Sequence, residues 1–118
     1  EIVQFDMITP YAEVIGISGD NEFCKLNWKQ SDPRLGGINH TLAADCGLRL
    51  SHALGIVAKE GVCLRATYIV DPNKEIQHVS VNALDTGRSA YEIERTLKAL
   101  QAGGLTGCGW QEGDGFVA

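Results

Sequence analysis

Apolar, β-branched runs and helix-spaced apolar stripes take turns along this chain, and that alternation confines it to an α/β architecture. Residues Ile2 to Ala12 read as the later part of a helix. Ile2, Phe5, Met7 and Ile8 cluster at near-helical spacing, and Pro10 stands near the end. Glu13 to Ser18 is a short, mostly apolar strand, and Gly19-Asp20-Asn21 is a turn able to cap the next helix. That helix, from about Glu22 to Gln30, is expected to bury Phe23 and Leu26, with Trp28 read as core rather than binding site. Asp32-Pro33-Arg34-Leu35-Gly36-Gly37 is the clearest loop. Leu42-Ala43-Ala44 then enters a helix from about Cys46 to Leu54, which Gly55 can stop.

The second half carries the stronger signals. Val62 to Val70 reads as a strand, Asp71-Pro72-Asn73-Lys74 as a turn and Ile76 to Val81 as the returning strand, so the pair is an antiparallel hairpin. Ser89-Ala90-Tyr91-Glu92 matches a capping box, in which the serine accepts from the Glu92 N–H and the glutamate reaches back. Ile93, Leu97 and Leu100 give the helix behind it one apolar stripe, and Gly103-Gly104 ends it. A glycine-rich tail comes last. The expected order is α-β-α-β-α-β-β-α, with residues 1–102 as a domain body and 103–118 as its tail.

The 118 residues suit one domain, and a 44% hydrophobic content supplies a core. A net charge of −5 argues against a nucleic-acid surface, because phosphate binding needs clustered Lys and Arg. No apolar run approaches the roughly 20 residues that span a bilayer. Cys24, Cys46, Cys63 and Cys108 form no C-x-x-C pair, and His40, His52 and His78 lie far apart, so no metal site is expected. Cys24, Cys46 and Cys63 fall on or beside apolar elements and read as buried structural thiols. A secreted disulfide framework is not the first choice for a chain of this size, and a cytoplasmic location is the expectation.

Arg65 opens an otherwise apolar strand, where a charge needs a reason; an arginine reaching solvent from a strand end is the plainer one. Leu64-Arg65-Ala66-Thr67-Tyr68-Ile69-Val70-Asp71-Pro72, Gly87-Arg88-Ser89 and Cys108-Gly109-Trp110 occur in an order and spacing that resemble the peroxiredoxins. The resemblance is strongest to their typical two-cysteine, alkyl hydroperoxide reductase C branch. It covers nearly the whole chain, with gaps near Asp32 to Asn39, and implies a thioredoxin-like fold whose front part is not in this sequence. Family members carry the peroxide-attacking cysteine in a Val-Cys-Pro-Thr-Glu-Ile segment. Glu1-Ile2 matches its last two residues, which places the attacking cysteine three residues before Glu1.

The resemblance assigns roles by residue. Arg65 becomes the sulfur-activating arginine, since a nearby cation lowers a thiol's pKa from about 8.5 and the guanidinium offers fixed donors. Glu1 and Arg88 become its ion-pair partners, the glutamate orienting the guanidinium groups; alone, Arg88 would read as a loop charge in water. Cys108 becomes the resolving cysteine that forms a disulfide with the attacking thiol of a neighbouring subunit. Most relatives place that cysteine four residues before the tryptophan, where this chain has Thr106, whereas Cys108 is two before Trp110, as in a Cys-x-Cys-x-Trp variant.

The implied activity is thiol-dependent reduction of hydrogen peroxide and alkyl hydroperoxides, restored by a thioredoxin-like or flavin-dependent reductase system. This chain alone should lack it. The alternatives are a non-catalytic oligomeric or binding module of the same fold and an unrelated small α/β domain. The resemblance also implies a homodimer, with Glu75 to Val81 antiparallel to its symmetry mate inside a ring of dimers.

Overall fold

The computed structural model describes residues 3–19, 22–33 and 37–117. Glu1 therefore lies outside the described residues, as do the Asp20-Asn21 part of the expected turn and Arg34 to Gly36 of the expected loop.

The order of elements agrees with the sequence reading. A 3₁₀ segment, Val3–Ile8, leads into strand β1 (Ile15–Ser18), helix α1 (Glu22–Ser31) and strand β2 (Thr41–Ala44). A 3₁₀ turn, Cys46–Leu48, precedes the short helix α2 (Arg49–Ala53). Strands β3 (Arg65–Val70) and β4 (Ile76–Asn82) and helix α3 (Ala90–Ala102) complete the set. Two elements differ in kind from expectation. The opening helix is 3₁₀ rather than α, and turns beyond Ile8 take it to Pro10 and Tyr11. The Cys46 to Leu54 helix is divided at Leu48, whose φ is +57°.

Among the described residues the strands form two separate two-stranded sheets. β1 pairs with β2 in parallel, Ile15 facing Thr41 and Ser18 facing Ala44. β3 pairs antiparallel with β4, from Arg65 opposite Asn82 to Ile69 opposite His78, and an irregularity shifts the register at Ile69/Val70. Asp71 makes the turn between them. Its Oδ1 accepts from the N–H groups of Asn73 and Glu75, both at 2.9 Å, which lets Lys74 adopt a φ of +66°.

α3 matches its sequence signals closely. The Ser89 hydroxyl accepts from the Glu92 N–H at 3.3 Å. Glu92 does not complete the capping box. Its carboxylate turns forward to Arg95, at 2.9 and 2.7 Å, because a bidentate charge-assisted pair outweighs one bond to the cap. Gly103, at φ +78°, closes the helix in the left-handed region that a side chain resists. Ile93 and Leu97 of α3 bury against Ile8 of the opening segment, with Phe5, Met7, Val14 and Ile69 packed around them. Leu100, expected on the same stripe, is half-exposed at the end of the helix.

α1 corrects the expectation of a buried helix. Phe23 is 72% exposed, and Leu26 and Trp28 are exposed as well. Cys24 and Cys46 are likewise exposed and Cys63 is only partly covered, so the thiols read as buried from their apolar neighbours are not. The reason is common to both: apolar spacing makes a helix face but does not supply the surface that covers it.

Candidate functional site

The hairpin and the loop before α3 converge at one end of β3. Arg65 is the first residue of β3 and half-buried, and its Nε donates to the Leu84 carbonyl at 2.9 Å. Asn82, opposite Arg65 in the ladder, donates from Nδ2 to the Gly87 carbonyl at 3.0 Å. That bond folds the Ala83–Gly87 loop back against the strand end and delivers the next residue, Arg88. The Arg88 Nη1 donates to the Ala66 carbonyl at 3.2 Å. Its guanidinium also lies over the Phe5 ring, 5.6 Å from the centroid. Two permanent cations from distant points in the chain thus anchor near one strand end, Arg65 on Leu84 of the loop and Arg88 on Ala66 of β3. One of them touches the opening 3₁₀ segment.

Of the four residues singled out from sequence, Arg65 and Arg88 are placed together, Glu1 lies outside the described residues, and Cys108 stands elsewhere. Cys108 is exposed on a turn in the tail, flanked by Gly107 and Gly109. The tail is less loose than its glycines suggest. Trp110 is buried, and its carbonyl accepts from Arg95 Nη1 at 2.9 Å. Its indole N–H donates to the Asp114 carbonyl at 3.2 Å, and Phe116 stacks parallel to it. The Val117 N–H donates to the Leu105 carbonyl at 2.8 Å. Phe116 lies so close over Gly104 that a Cβ there would collide with the ring. Lys98 adds a clasp, reaching Glu94 at 2.8 Å and Glu112 at 3.1 Å while lying over the Tyr11 ring. Glu94 first, then Glu112, holds the Lys98 ammonium well above its ordinary pKa.

Two polar constellations escape the sequence reading. His40, with a side chain only 2% exposed, holds Asp6 through Nδ1···Oδ1 at 2.7 Å. The same carboxylate accepts the N–H of Asn39 at both oxygens, each at 3.1 Å, and that of His40 at 3.3 Å. Desolvation of Asp6 pushes its pKa up, but the His40 bond and the two backbone N–H groups outweigh it and leave the carboxyl below its ordinary value. Asp45 is the second. It is nearly buried and accepts from the Ser51 hydroxyl at 2.7 Å and from the Leu50 and Ser51 N–H groups at 3.0 and 2.9 Å. It thereby satisfies the start of α2 across the left-handed Leu48. The Ser51 bond leads the effects that, against desolvation, hold its pKa down. The Asp6–His40 pair joins residues 34 apart, so no spacing rule could find it. Among the described residues, no group of three or more His, Cys, Asp or Glu stands close enough to hold a metal ion.

The sequence model of the AhpC/TSA family matches residues 7–79. Alkyl hydroperoxide reductase C of Mycolicibacterium smegmatis is 42% identical over 103 residues, which covers 87% of this chain and 53% of that protein. Alkyl hydroperoxide reductase C of Mycobacterium tuberculosis is 40% identical over the same length. Among solved structures, Mycobacterium bovis AhpC superposes with a TM-score of 0.84 at 35% identity, covering 94% of this chain and 65% of that one. The reduced 2-Cys peroxiredoxin of Plasmodium vivax gives 0.90 at 31%, covering 98% and 66%. The chain belongs to the AhpC/TSA family, and its fold is the thioredoxin-like fold of the peroxiredoxins. It spans about half the length of the curated relatives it matches.

Proposed function

We propose that this chain is the C-terminal part of a thiol peroxidase that reduces hydrogen peroxide and alkyl hydroperoxides. The observation that carries the reading is the convergence of Arg65 and Arg88 on one strand end beside the segment that begins at Val3. A cationic site of this kind holds a neighbouring thiol as its thiolate. It also offers donors to the oxygen that departs with negative charge. The thiolate, on a cysteine three residues before Glu1, attacks one peroxide oxygen. An S–O bond forms as the O–O bond breaks, and the other oxygen leaves and takes a proton, giving water or an alcohol. The sulfur is then a sulfenic acid. Cys108 of a second subunit attacks it as a thiolate, an S–S bond replaces the S–O bond, and hydroxide leaves as water. A dithiol, presented by a thioredoxin-like or flavin-dependent reductase system, returns the disulfide to two thiols.

Glu1 belongs in this scheme as the group that orients the two guanidinium groups. The sequence match and the proximity of the opening segment to Arg88 support it. The working assembly is a homodimer in which β4 lies antiparallel to its symmetry mate, closed into a ring. The exposure of Ile76, Val79 and Val81 along β4 supports this arrangement. The location is cytoplasmic.

Arg65→Lys in the full-length protein tests the reading, because lysine keeps the charge and loses the planar fork. Stopped-flow oxidation by hydrogen peroxide should slow by about a hundredfold, the scale of one lost transition-state donor. An unchanged rate removes Arg65 from the chemistry. A full-length protein with no cysteine before Glu1 makes the chain a non-catalytic module of the same fold.

A further inference from the structure

The opening 3₁₀ segment is gripped from two sides. Arg88 lies over Phe5, and the residue after it, Asp6, is bound by His40. The grip on Asp6 is the stronger. One carboxylate takes the imidazole N–H and the backbone N–H groups of two consecutive residues, and all of them belong to the stretch that enters β2. A carboxylate only accepts, so the proton of this bond sits on Nδ1 of His40. The Nε2 edge of the ring lies beside Gly16 of β1, where a Cβ would come within 3.6 Å of it, and the His40 side chain is only 2% exposed. His40 is thus wedged between β1 and the opening segment.

We propose that Asp6 and His40 are positioning residues for the attacking thiol: their pair locks the opening segment to the β1–β2 sheet and so fixes how close the residues before it stand to Arg65 and Arg88. This rests on the peroxidase reading. Neither residue touches peroxide. Their effect passes through the backbone of Val3–Ile8, where the neighbouring residue Phe5 carries the Arg88 contact. A thiolate is stabilised by cations only at short range, so a small displacement of the segment weakens its activation.

The test uses the full-length protein with His40→Leu, His40→Gln and Asp6→Asn. Two quantities are read: the rate of oxidation by hydrogen peroxide, and the pH midpoint of alkylation of the attacking thiol by iodoacetamide. His40→Leu should slow oxidation by about ten- to a hundredfold, the cost of a misplacement near 1 Å. It should also move the alkylation midpoint upward, while alkylation of Cys108 keeps its profile. His40→Gln, which retains an N–H donor toward Asp6, should recover most of both. A His40→Leu protein that melts lower but keeps the wild-type rate and midpoint overturns the proposal, because the pair is then only structural. If His40→Leu does not fold, Asp6→Asn carries the test: a smaller shift in the same direction supports the proposal, and a folded Asp6→Asn protein with no shift overturns it. A wild-type protein inert to peroxide whose alkylation midpoint still responds to these substitutions defeats the peroxidase reading and leaves the positioning role standing.

Discussion

Helices α1 and α3 present similar apolar material, and the structure treats them in opposite ways. α3 is capped by Ser89, closed by Gly103, and sinks Ile93 and Leu97 into the main core with Ile8. α1 lies against β2 but turns Phe23, Leu26 and Trp28 outward. A helical stripe is a local property of the chain. Burial belongs to the pair of surfaces that meet, and only α3 has its partner within the described residues. The two halves therefore differ in where their stability comes from. The half built on β3, β4 and α3 shares its core with the opening segment through Ile8, while the half built on β1, α1 and β2 is fastened to that segment in part through Asp6 and His40.

That contrast can be broken or sharpened by measurement. Leu97→Ala should cost the full-length protein about 2–5 kcal/mol in denaturant unfolding, as buried leucines do. A loss below about 1 kcal/mol would mean the α3 core is not what holds that half together. Ser89→Ala should cost about 1 kcal/mol through the lost cap, which for a full-length domain of about 150–250 residues lowers Tm by about 2–4 °C. An unchanged Tm would show the cap bond to be dispensable.

Asp6 supplies a pH-dependent comparison. Its folded pKa lies below the ordinary value of 3.8, so its contribution is present above that value and is lost as pH falls through the folded one. The stability gap between wild type and Asp6→Asn should be flat near neutrality and close below about pH 4. A gap that persists unchanged into stronger acid would separate the His40 contact from the charge on Asp6. The smallest effect is expected on α1. Leu26→Ala should change stability by less than about 0.5 kcal/mol, as exposed substitutions do. A larger loss that grows with protein concentration would show the α1 face buried between subunits and erase the contrast.

Legibility in the sequence divides along the same line. The hairpin from Arg65 to Asn82 and the helix behind Ser89 are set by residues a few positions apart, and both appear where their turn and cap chemistry put them. The proximity of Arg65 and Arg88 is implied by resemblance rather than by spacing, since 22 residues separate Arg88 from the carbonyl it binds. Asp6–His40 has no signal at all, because a histidine 34 residues from an aspartate looks like any other. Asp45 is hidden for a different reason. It caps α2 from beyond a left-handed leucine, and no pattern of preferred residues anticipates φ +57° at Leu48. The exposed thiols mislead because apolar neighbours in sequence are not cover in space.

The tail's anchorage sets a radius for the Cys108 sulfur. With Leu105 bonded to Val117 and Trp110 seated against α3, the thiol is tethered on both sides. Two residues of slack from Trp110 let its Cα sweep about 7 Å. If the indole leaves its seat and the Leu105 bond parts, the tether begins at Gly103, and five extended residues reach about 17 Å. The left-handed glycine at the end of α3 and the buried tryptophan thus set the two lengths of chain between which the Cys108 thiol is held.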